Sequence, residues 1–265
     1  MTRSIVFLTD YGLADEFVGV CHGVIARIAP DARVIDLTHQ VARQDVDQGA
    51  LALARSVRFM PDDAVYLAVV DPGVGTERRP LAVEASSGAV LVGPDNGLLS
   101  LAWSELGGAS RAVEISSDEV VLHPISRTFH GRDVFAPAAA HLASGFAFDR
   151  LGRPLDVDDL ATIEVSGPMV APGVVGARVM GIDGFGNVQL NARPEDLESA
   201  ELRGPLVLGR HDLPRVRTFT EVPEGHPAAI VDSQGMVAVV VNHGSAARLF
   251  GLRPGDAVTL TGHRG

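Results

Sequence analysis

Three polar loops hold the side chains best suited to chemistry: residues 10–15, 71–79 and 129–133. Asp71 follows an apolar run, residues 64–70, that ends abruptly in Asp-Pro-Gly, a pattern typical of a buried strand. Asp10 follows the apolar run 4–8 in the same way. If both runs are parallel strands, the two carboxylates leave the sheet at one edge, where open α/β sheets bind ligands. Aspartate, arginine and histidine at such an edge could hold a small polar molecule and move its protons.

The loop after Asp71 nevertheless has two interpretations. Gly73 and Gly75 allow positive φ and a close approach of the backbone to a ligand, and Arg78 and Arg79 follow within reach of the same pocket. The alternative is a tight loop with an exposed carboxylate and two solvated arginines, because a lone glycine-rich loop is weak evidence for binding. A histidine such as His130, ahead of a predicted helix, could likewise be bonded to backbone only.

The absence of several known sequence motifs argues against the common functions that those motifs serve. Arg78 stands where a dinucleotide fingerprint needs its third glycine, and the chain has no Gly-x-x-x-x-Gly-Lys-Ser/Thr phosphate loop. It also has no His-x-x-x-His pair and no Gly-x-Ser-x-Gly elbow. A metal site stays conceivable, although no ligand spacing demands it, and its candidate ligands are Asp10, Asp15, Asp71 and His130.

A second polar segment, residues 183–187, interrupts a β pattern with glycines and an aromatic ring. The side chain of Asn187 could make paired donor and acceptor bonds to a purine edge, and Phe185 could stack on a base. A glycine-rich β-turn explains the same residues equally well.

Composition places limits on partners and location. The chain of 265 residues has a formal net charge of −11 and no lysine- or arginine-rich run, so nucleic acid and anionic membranes are not expected as partners. No apolar run reaches the roughly 18 residues of a membrane span. The single cysteine, Cys21, falls in an apolar helical pattern and is expected to be a small buried hydrophobe. These features predict a soluble, cytoplasmic protein.

The order of predicted elements indicates two domains. In residues 1–155 strands alternate with helices, which predicts a Rossmann-like α/β domain with a mostly parallel sheet. Asp15 and Asp133 are predicted N-caps of two of its helices, and residues 153–159 are a predicted linker. Residues 165–265 predict a small β-barrel. Its predicted strands are residues 174–182, 188–191, 206–208, 216–222, 228–231, 237–241 and 257–260.

Taken together, the motifs resemble those of the S-adenosyl-L-methionine (SAM) hydrolases, or SAM hydroxide adenosyltransferases, which are relatives of the SAM-dependent fluorinase and chlorinase. The matching segments appear in the order of that family and span nearly the whole chain: Thr-Asp-Tyr-Gly at 9–12, residues 70–79, Pro-Asp-Asn-Gly at 94–97, residues 128–133, residues 183–187 and residues 241–246. The resemblance implies hydrolysis of SAM to adenosine and L-methionine by attack of water at ribose C5′. It also implies an N-terminal α/β domain, a C-terminal barrel and a homotrimer with active sites between subunits.

The resemblance further implies roles for individual residues. The catalytic set falls on Asp71, Arg78 and His130. The expected substrate-binding residues are Asp10 at the ribose hydroxyls; Asn187 with backbone near Val241 and His243 at adenine; Asp15, Asp183 and Ser233 at the methionine part; and Thr128, Phe129 and Phe185. No cofactor and no metal are expected.

Several differences from the halogenating relatives bear on the reaction. Those relatives carry tyrosines where Asp71 and His130 stand, and an extra loop after the position of Arg79, so this chain is expected to use water rather than halide. Gln44 stands where the fluorinase has a tryptophan over the substrate, and Gln234 where it has an arginine near the methionine carboxylate. The alternatives are a SAM-dependent halogenase and a non-catalytic adenosine or SAM sensor.

Overall fold

The computed structural model describes residues 2–262 and divides the chain into two compact units between Ile163 and Glu164. Unit 1 precedes this division and unit 2 follows it. The predicted fold class is confirmed, since unit 1 holds a mostly parallel sheet with helices and unit 2 holds an antiparallel, barrel-like sheet. Within the described range, none of the helices combines the length and the hydropathy that a membrane span requires.

Unit 1 is built on a seven-stranded sheet. Its strands are β1 (Ile5–Thr9), β2 (Val34–Thr38), β3 (Val65–Val69), β4 (Pro80–Ala85), β5 (Val90–Pro94), β6 (Ala109–Ile115) and β7 (Gly152–Leu155). Their spatial order is β2-β1-β3-β5-β4-β6-β7. In this spatial order β2, β1, β3 and β5 are parallel, and β4, β6 and β7 each pair with the preceding strand in antiparallel orientation. Because the chain runs from β1 to β2 and then crosses to β3 on the other side, a crevice opens at the carboxyl ends of β1 and β3.

Apolar side chains on both faces of the sheet pack against helices. In β1, Ile5 and Phe7 point to one face and Val6 and Leu8 to the other, as the two-residue period of a strand requires. The first face is covered by α1 (Phe17–Ile28) and α4 (Ala136–Ala143), and the second by α2 (Val46–Ser56) and α3 (Ser100–Glu105). A strand buried on both faces explains why β1 and β3 are continuous apolar runs in the sequence.

One prediction about a single residue is confirmed, and α2 begins at a regular N-cap. Cys21 is fully buried in the core beside α4, and burial raises the pKa of its thiol to about 12, so it behaves as an inert hydrophobe. Asp45 is the N-cap of α2, where its carboxylate accepts a hydrogen bond from the backbone N–H of Gln48 at 2.9 Å.

Three local predictions are wrong. The residue that caps α1 is Glu16 rather than Asp15. Asp133 does not begin a helix, because it lies inside a π-helical turn, Gly131–Phe135, that runs directly into α4. The polar segment 153–159 is not a plain linker, since part of it forms the edge strand β7 and part a short 3₁₀ helix, Val157–Asp159.

Unit 2 is an antiparallel sheet that closes almost into a barrel. Its strands are β8 (Met169–Ala171), β9 (Val174–Ile182), β10 (Val188–Leu190), β11 (Leu206–Leu208), β12 (His211–Leu213), β13 (Pro227–Val231), β14 (Val237–Val241) and β15 (Ala257–Gly262), joined by α5 (Pro194–Ser199) and α6 (Ala246–Phe250). The order is β12-β11-β15-β9-β10-β14-β13, with β8 paired to β9. The ends meet where Val216 donates its N–H to the carbonyl of Ala229 and Ala229 donates to that of Pro214, both at 3.0 Å.

One predicted strand of unit 2, residues 216–222, is absent from the described structure. The segment forms a 3₁₀ helix, Phe219–Glu221, because the Thr218 hydroxyl accepts a bond from Thr220 while the Glu221 carboxylate accepts one from the N–H of Thr218. This reciprocal capping box outweighs the alternating apolar pattern that predicted a strand. As a result, Phe219 and Thr220 lie on a helical turn and line a pocket of unit 2.

Candidate functional site

The carboxyl ends of β1 and β3 bring the two predicted aspartates to one pocket of unit 1. Thr9 and Val69, the last residues of the two strands, are paired in register, and Asp10 and Asp71 follow them closely. The pocket has a volume of about 230 Å³. Its lining residues are Asp10, Tyr11, Phe17, Gln44, Val69, Asp71, Val74, Thr128, Phe129, His130 and Gly131. The prediction of a pocket at this edge of the sheet is confirmed in geometry.

A buried ion pair lies at the base of this pocket. Arg78 donates from Nε to one oxygen of Asp71 at 3.1 Å and from Nη2 to the other at 2.5 Å. Both side chains are more than nine-tenths buried. This bidentate geometry is the strongest form of arginine–carboxylate pairing, and it excludes the interpretation of an exposed aspartate with a solvated arginine.

His130 extends the pair into a set of three. Its Nδ1 is 3.0 Å from Nη2 of Arg78. A guanidinium can only donate, so Nδ1 is the acceptor and the neutral ring carries its proton on Nε2. The guanidinium of Arg78 also lies 5.2 Å from the centroid of the Phe135 ring. Its remaining nitrogen, Nη1, is buried and has no hydrogen-bond partner among the described residues.

Burial shifts the protonation of both partners of Arg78. The pKa of Asp71 is raised, because desolvation of its carboxylate outweighs the favourable charge and hydrogen bonds of Arg78. The pKa of His130 is lowered, because desolvation and the neighbouring guanidinium both oppose a second cation. At neutral pH the set therefore contains one carboxylate of increased basicity, one permanent cation and one neutral imidazole.

A glycine fixes the distance between the Asp71 loop and the segment that leads to His130. Gly75 has φ +77°, and a Cβ atom there would lie 2.3 Å from the carbonyl oxygen of Arg127. Only glycine tolerates both the conformation and the approach. At Gly131 a Cβ atom would lie 2.0 Å from the hydroxyl of Tyr11, so any larger residue there would displace that side chain.

The side chain of Arg79 points away from the pocket. Its Nε donates to Asp95 at 2.7 Å, and its Nη2 donates to the carbonyl of Asp159 at 2.7 Å. Asp95 in turn accepts the N–H of Ala161. Arg79 therefore ties the sheet to the last segment of unit 1, and the expectation that it lies within reach of the pocket is wrong.

Asp10 is held with one carboxylate oxygen engaged. Its Oδ2 accepts the backbone N–H of Gln44 at 2.8 Å, and Gln44 adopts a left-handed conformation with φ +63°. Three rings that also line the pocket, Tyr11, Phe17 and Phe129, contact one another edge to face with centroids 5.1–6.0 Å apart. The result is a pocket with an aromatic wall and carboxylates at its floor.

The metal site that the sequence left conceivable is not supported by the arrangement of its candidate ligands. Both oxygens of Asp71 are engaged by the guanidinium of Arg78, a cation that already balances the carboxylate charge. Asp15 is exposed on the segment before α1 and is not among the residues that line the pocket.

Unit 2 has a pocket of its own, with a volume of about 540 Å³. Its lining includes three of the predicted adenine-site residues, Asn187, Val241 and His243, together with Phe185. Phe185 is 83% exposed, as a ring available for stacking must be. The remaining lining residues are Phe219, Thr220, Asn242, Gly244 and Arg248.

Asp183 shapes this second pocket rather than facing it. Its carboxylate accepts the backbone N–H groups of Phe185 and Asn187, both at 2.9 Å, and the side-chain amide of Asn187 at 2.8 Å. The amide oxygen of Asn187 is thereby oriented, and one N–H remains for a ligand. Ser233 lies exposed in the turn between β13 and β14 and is not among the lining residues.

Sequence reasoning missed residues in both pockets. Phe219 and Thr220 lie in the segment predicted as a strand, although the Thr-x-x-Glu spacing of its capping box was a usable signal. Tyr11 and Phe17 give no such signal, because apolar rings next to a helix start are ordinarily part of a core.

Comparison with known proteins finds related sequences and structures over nearly the whole chain. The family of SAM hydroxide adenosyltransferases matches the chain with its N-terminal domain at residues 5–152 and its C-terminal domain at residues 177–259. Over 262 residues the chain is 49% identical to the (R)-S-adenosyl-L-methionine hydrolase of Salinispora tropica, covering 98% of each protein. It is 31% identical over 292 residues to a fluorinase of an Actinoplanes species, covering 97% of each. The crystal structure of an uncharacterized conserved protein from Thermotoga maritima superposes with a TM-score of 0.89 at 33% identity, covering 97% of this chain and 99% of that one.

The charge environment of His130 can be tested directly. Burial and the Arg78 guanidinium should hold its pKa below the usual 6.5 of histidine. Replacing Arg78→Met removes the cation and should raise that pKa, whereas Arg78→Lys retains a positive charge and should raise it less. NMR titration of the imidazole measures all three proteins. A value above 6.5 in the wild-type protein would contradict the arrangement.

Proposed function

The chain belongs to the SAM hydroxide adenosyltransferase family, and from this premise we propose that it hydrolyses SAM to adenosine and L-methionine. The observation that carries the proposal is the buried set of Asp71, Arg78 and His130 at a pocket of the sheet edge. Positioning of water and transfer of its proton are the tasks that such a set can perform.

The chemistry requires help for the nucleophile rather than for the leaving group. The sulfonium at C5′ departs as a neutral thioether and needs no general acid. Water, with a pKa of about 15.7, must be oriented in line with the C–S bond and lose a proton as the new C–O bond forms. The products are adenosine, methionine and one proton, so charge is balanced without a cofactor or a metal.

We assign the proton to Asp71. Nδ1 of His130 is engaged by Arg78, and Arg78 cannot accept a proton, so Asp71 is the remaining acceptor of the set. Each of its oxygens accepts one bond from Arg78 and retains a further lone pair. Its raised pKa increases its basicity. Arg78, fixed against Asp71 and His130, then stabilises the developing hydroxide through its permanent positive charge.

Substrate recognition is divided between the two units in this proposal. Asp10 holds the ribose hydroxyls, and Thr128 and Phe129 line the same pocket. In unit 2, Phe185 stacks on adenine while Asn187 and the backbone from Val241 to His243 bond its edge. The methionine part is assigned to Asp15 and Ser233, whereas the carboxylate of Asp183 is engaged within its own loop and orients Asn187.

Incubation with SAM tests the activity. Purified protein should release adenosine and L-methionine in equal amounts, detected by chromatography, in the presence of a metal chelator as well as without it. Added chloride or fluoride should yield no halogenated adenosine, which separates hydrolysis from the halogenase alternative. Tight binding of SAM without turnover, in a correctly folded protein, would replace the proposal with a sensor.

Substitutions in the buried set should lower the rate rather than the affinity. Arg78→Met is expected to reduce kcat by about 100-fold or more, the usual scale for a positioned electrostatic group, with a much smaller change in KM. Arg79→Met is the matched control, because its side chain pairs with Asp95 outside the pocket. His130→Asn keeps an acceptor for Arg78 and should retain more activity than His130→Ala.

The interpretation of these rates depends on folding. Circular dichroism and thermal unfolding of each variant identify those that fail to fold, since removing Arg78 leaves a buried carboxylate unpaired. If KM rises in proportion to the loss of kcat, the residues hold substrate and do not act on water.

We further propose a homotrimer in which unit 1 of one subunit and unit 2 of its neighbour act on the same SAM molecule. The family resemblance supports this assembly, and the two pockets fit it, because the unit 1 pocket has the proton-transfer groups and the unit 2 pocket has the stacking ring.

Mixed variants test the shared site. Asp71→Ala and Asn187→Ala should each be inactive alone, because one lacks the base and the other the adenine contact. After subunit exchange, some interfaces combine an intact Asp71 with an intact Asn187, so activity should partly return. Mass spectrometry of differently labelled subunits verifies the exchange. No recovery after verified exchange would rule out a site shared between subunits.

A further inference from the structure

The loop that presents Asp10 is held by a network centred on His39. Nδ1 of His39 is 2.9 Å from the hydroxyl oxygen of Thr9, which also accepts the backbone N–H of Tyr11 at 3.2 Å. The carbonyl of His39 accepts the N–H of Gly12 at 2.7 Å. Asp10 is therefore flanked on both sides by residues that bond, directly or through Thr9, to this one histidine.

Proton directions in the network are mutually consistent. Asp36 lies on β2 and accepts bonds at its Oδ1 from Nε2 of His39 at 3.0 Å and from Nε2 of His22 at 2.9 Å. A carboxylate only accepts, so the neutral His39 ring carries its proton on Nε2. Nδ1 then accepts a hydrogen bond from the Thr9 hydroxyl, and the Thr9 oxygen accepts one from the backbone N–H of Tyr11. Asp36 thus sets the tautomer on which the Thr9 contact depends.

The burial of Thr9 and His39 distinguishes a structural role of this network from a catalytic one. The order carboxylate, imidazole, hydroxyl is that of a nucleophilic triad. The Thr9 hydroxyl is nevertheless fully buried and His39 is 4% exposed, so no substrate reaches either group. A network that is inaccessible to substrate, yet bonded to both neighbours of a pocket carboxylate, serves to orient that carboxylate.

We propose that His39, oriented by Asp36, is a positioning residue that fixes the Thr9–Gly12 segment so that Asp10 meets the ribose hydroxyls of the substrate. This inference rests on the proposed function for the identity of the substrate. It adds a requirement in a part of unit 1 that none of the predicted site residues occupies.

A metal ion is the competing explanation for the same side chains. Ligand atoms of His22, Asp36 and His39 all lie within 4.8 Å of one another, and imidazole with carboxylate suits Zn²⁺. The hydrogen-bond explanation is favoured because each Nε2 proton has an acceptor in Asp36 and because the path to Asp10 runs through His39 alone. The two explanations differ in the role of His22, which a metal site needs and a positioning network does not.

The Thr9 hydroxyl provides the cleanest substitution. Thr9→Val keeps the shape of the side chain but removes the atom that joins His39 to the loop, whereas Thr9→Ser keeps that atom. We expect Thr9→Val to raise KM for SAM about tenfold, the scale of a lost bond to a charged group, with a smaller effect on kcat. Thr9→Ser should stay within about twofold of the wild-type KM.

Amide substitutions of His39 separate its two contacts. The oxygen of Asn replaces Nδ1 as an acceptor for Thr9, whereas the amide of Gln replaces Nε2 as a donor to Asp36. His39→Asn should therefore keep a lower KM than His39→Gln, a difference that a purely structural role would not produce. His22→Ala should leave KM close to the wild-type value.

A double-mutant cycle decides whether His39 acts through Asp10. If it does, His39→Ala should raise KM in the wild-type background and add little once Asp10→Ala is present. Additive effects, or an unchanged KM in His39→Ala, would overturn the proposal. Loss of activity in His22→Ala as large as in His39→Ala, with sensitivity to chelator and rescue by Zn²⁺, would replace it with a metal site.

A binding measurement distinguishes failure of the hydrolase proposal from failure of the positioning proposal. Calorimetric affinity for adenosine measures the ribose contact without any turnover. If wild-type protein does not hydrolyse SAM, the hydrolase proposal fails, while weaker adenosine binding by Thr9→Val than by Thr9→Ser still supports the positioning role. Equal adenosine affinities of these two variants would reject it.

Discussion

The rest of the candidate site depends on the ion pair between Asp71 and Arg78. Both side chains are withdrawn from water, and a buried pair seldom adds to stability, because desolvation costs as much as the attraction returns. Removing one partner costs about 3–5 kcal/mol in comparable buried pairs. Breaking the pair therefore lowers the free energy of unfolding, although forming it adds little to that free energy. The pair does supply a carboxylate of raised pKa fixed against a permanent cation, which an exposed pair could not provide.

The sheet topology explains why this pair lies where it does. Four parallel strands with a reversal between β1 and β3 leave one crevice at their carboxyl ends, and loops from both strands enter it. Gly75 then allows the Asp71 loop to approach the segment before His130 more closely than any side chain would permit. The third member of the set, His130, directly precedes a π-helical turn far along the chain, so two segments distant in sequence meet at a single guanidinium.

Sequence patterns predicted most of this fold, and the family resemblance pointed to the three residues that the structure brings together. Buried strands are continuous apolar runs, and the alternation of strands with helices gave the class. The predictions that failed were local, and hydrogen bonds explain two of them. A capping box forms a 3₁₀ helix within the predicted strand 216–222. Arg79 bonds to Asp95 instead of facing the pocket. The capping box is local and its Thr-x-x-Glu spacing is visible in the sequence, whereas the partner of Arg79 lies 16 residues away. The protonation states of His130 and Asp71 also required the structure, since burial decides both.

In the proposed mechanism, the register of two strands links substrate placement at Asp10 to water activation at Asp71. Thr9 and Val69 are paired at the ends of β1 and β3, so the loop that carries Asp10 and the loop that carries Asp71 begin at the same level of the sheet. In-line attack tolerates errors of well under an ångström between water and carbon, and a shift by one residue would move each loop by about 3.3 Å. His39 and Arg78 each fix one of these loops by side-chain bonds after the strand has ended. The two networks therefore serve one purpose, which is to preserve beyond the sheet the alignment that the strand pairing establishes.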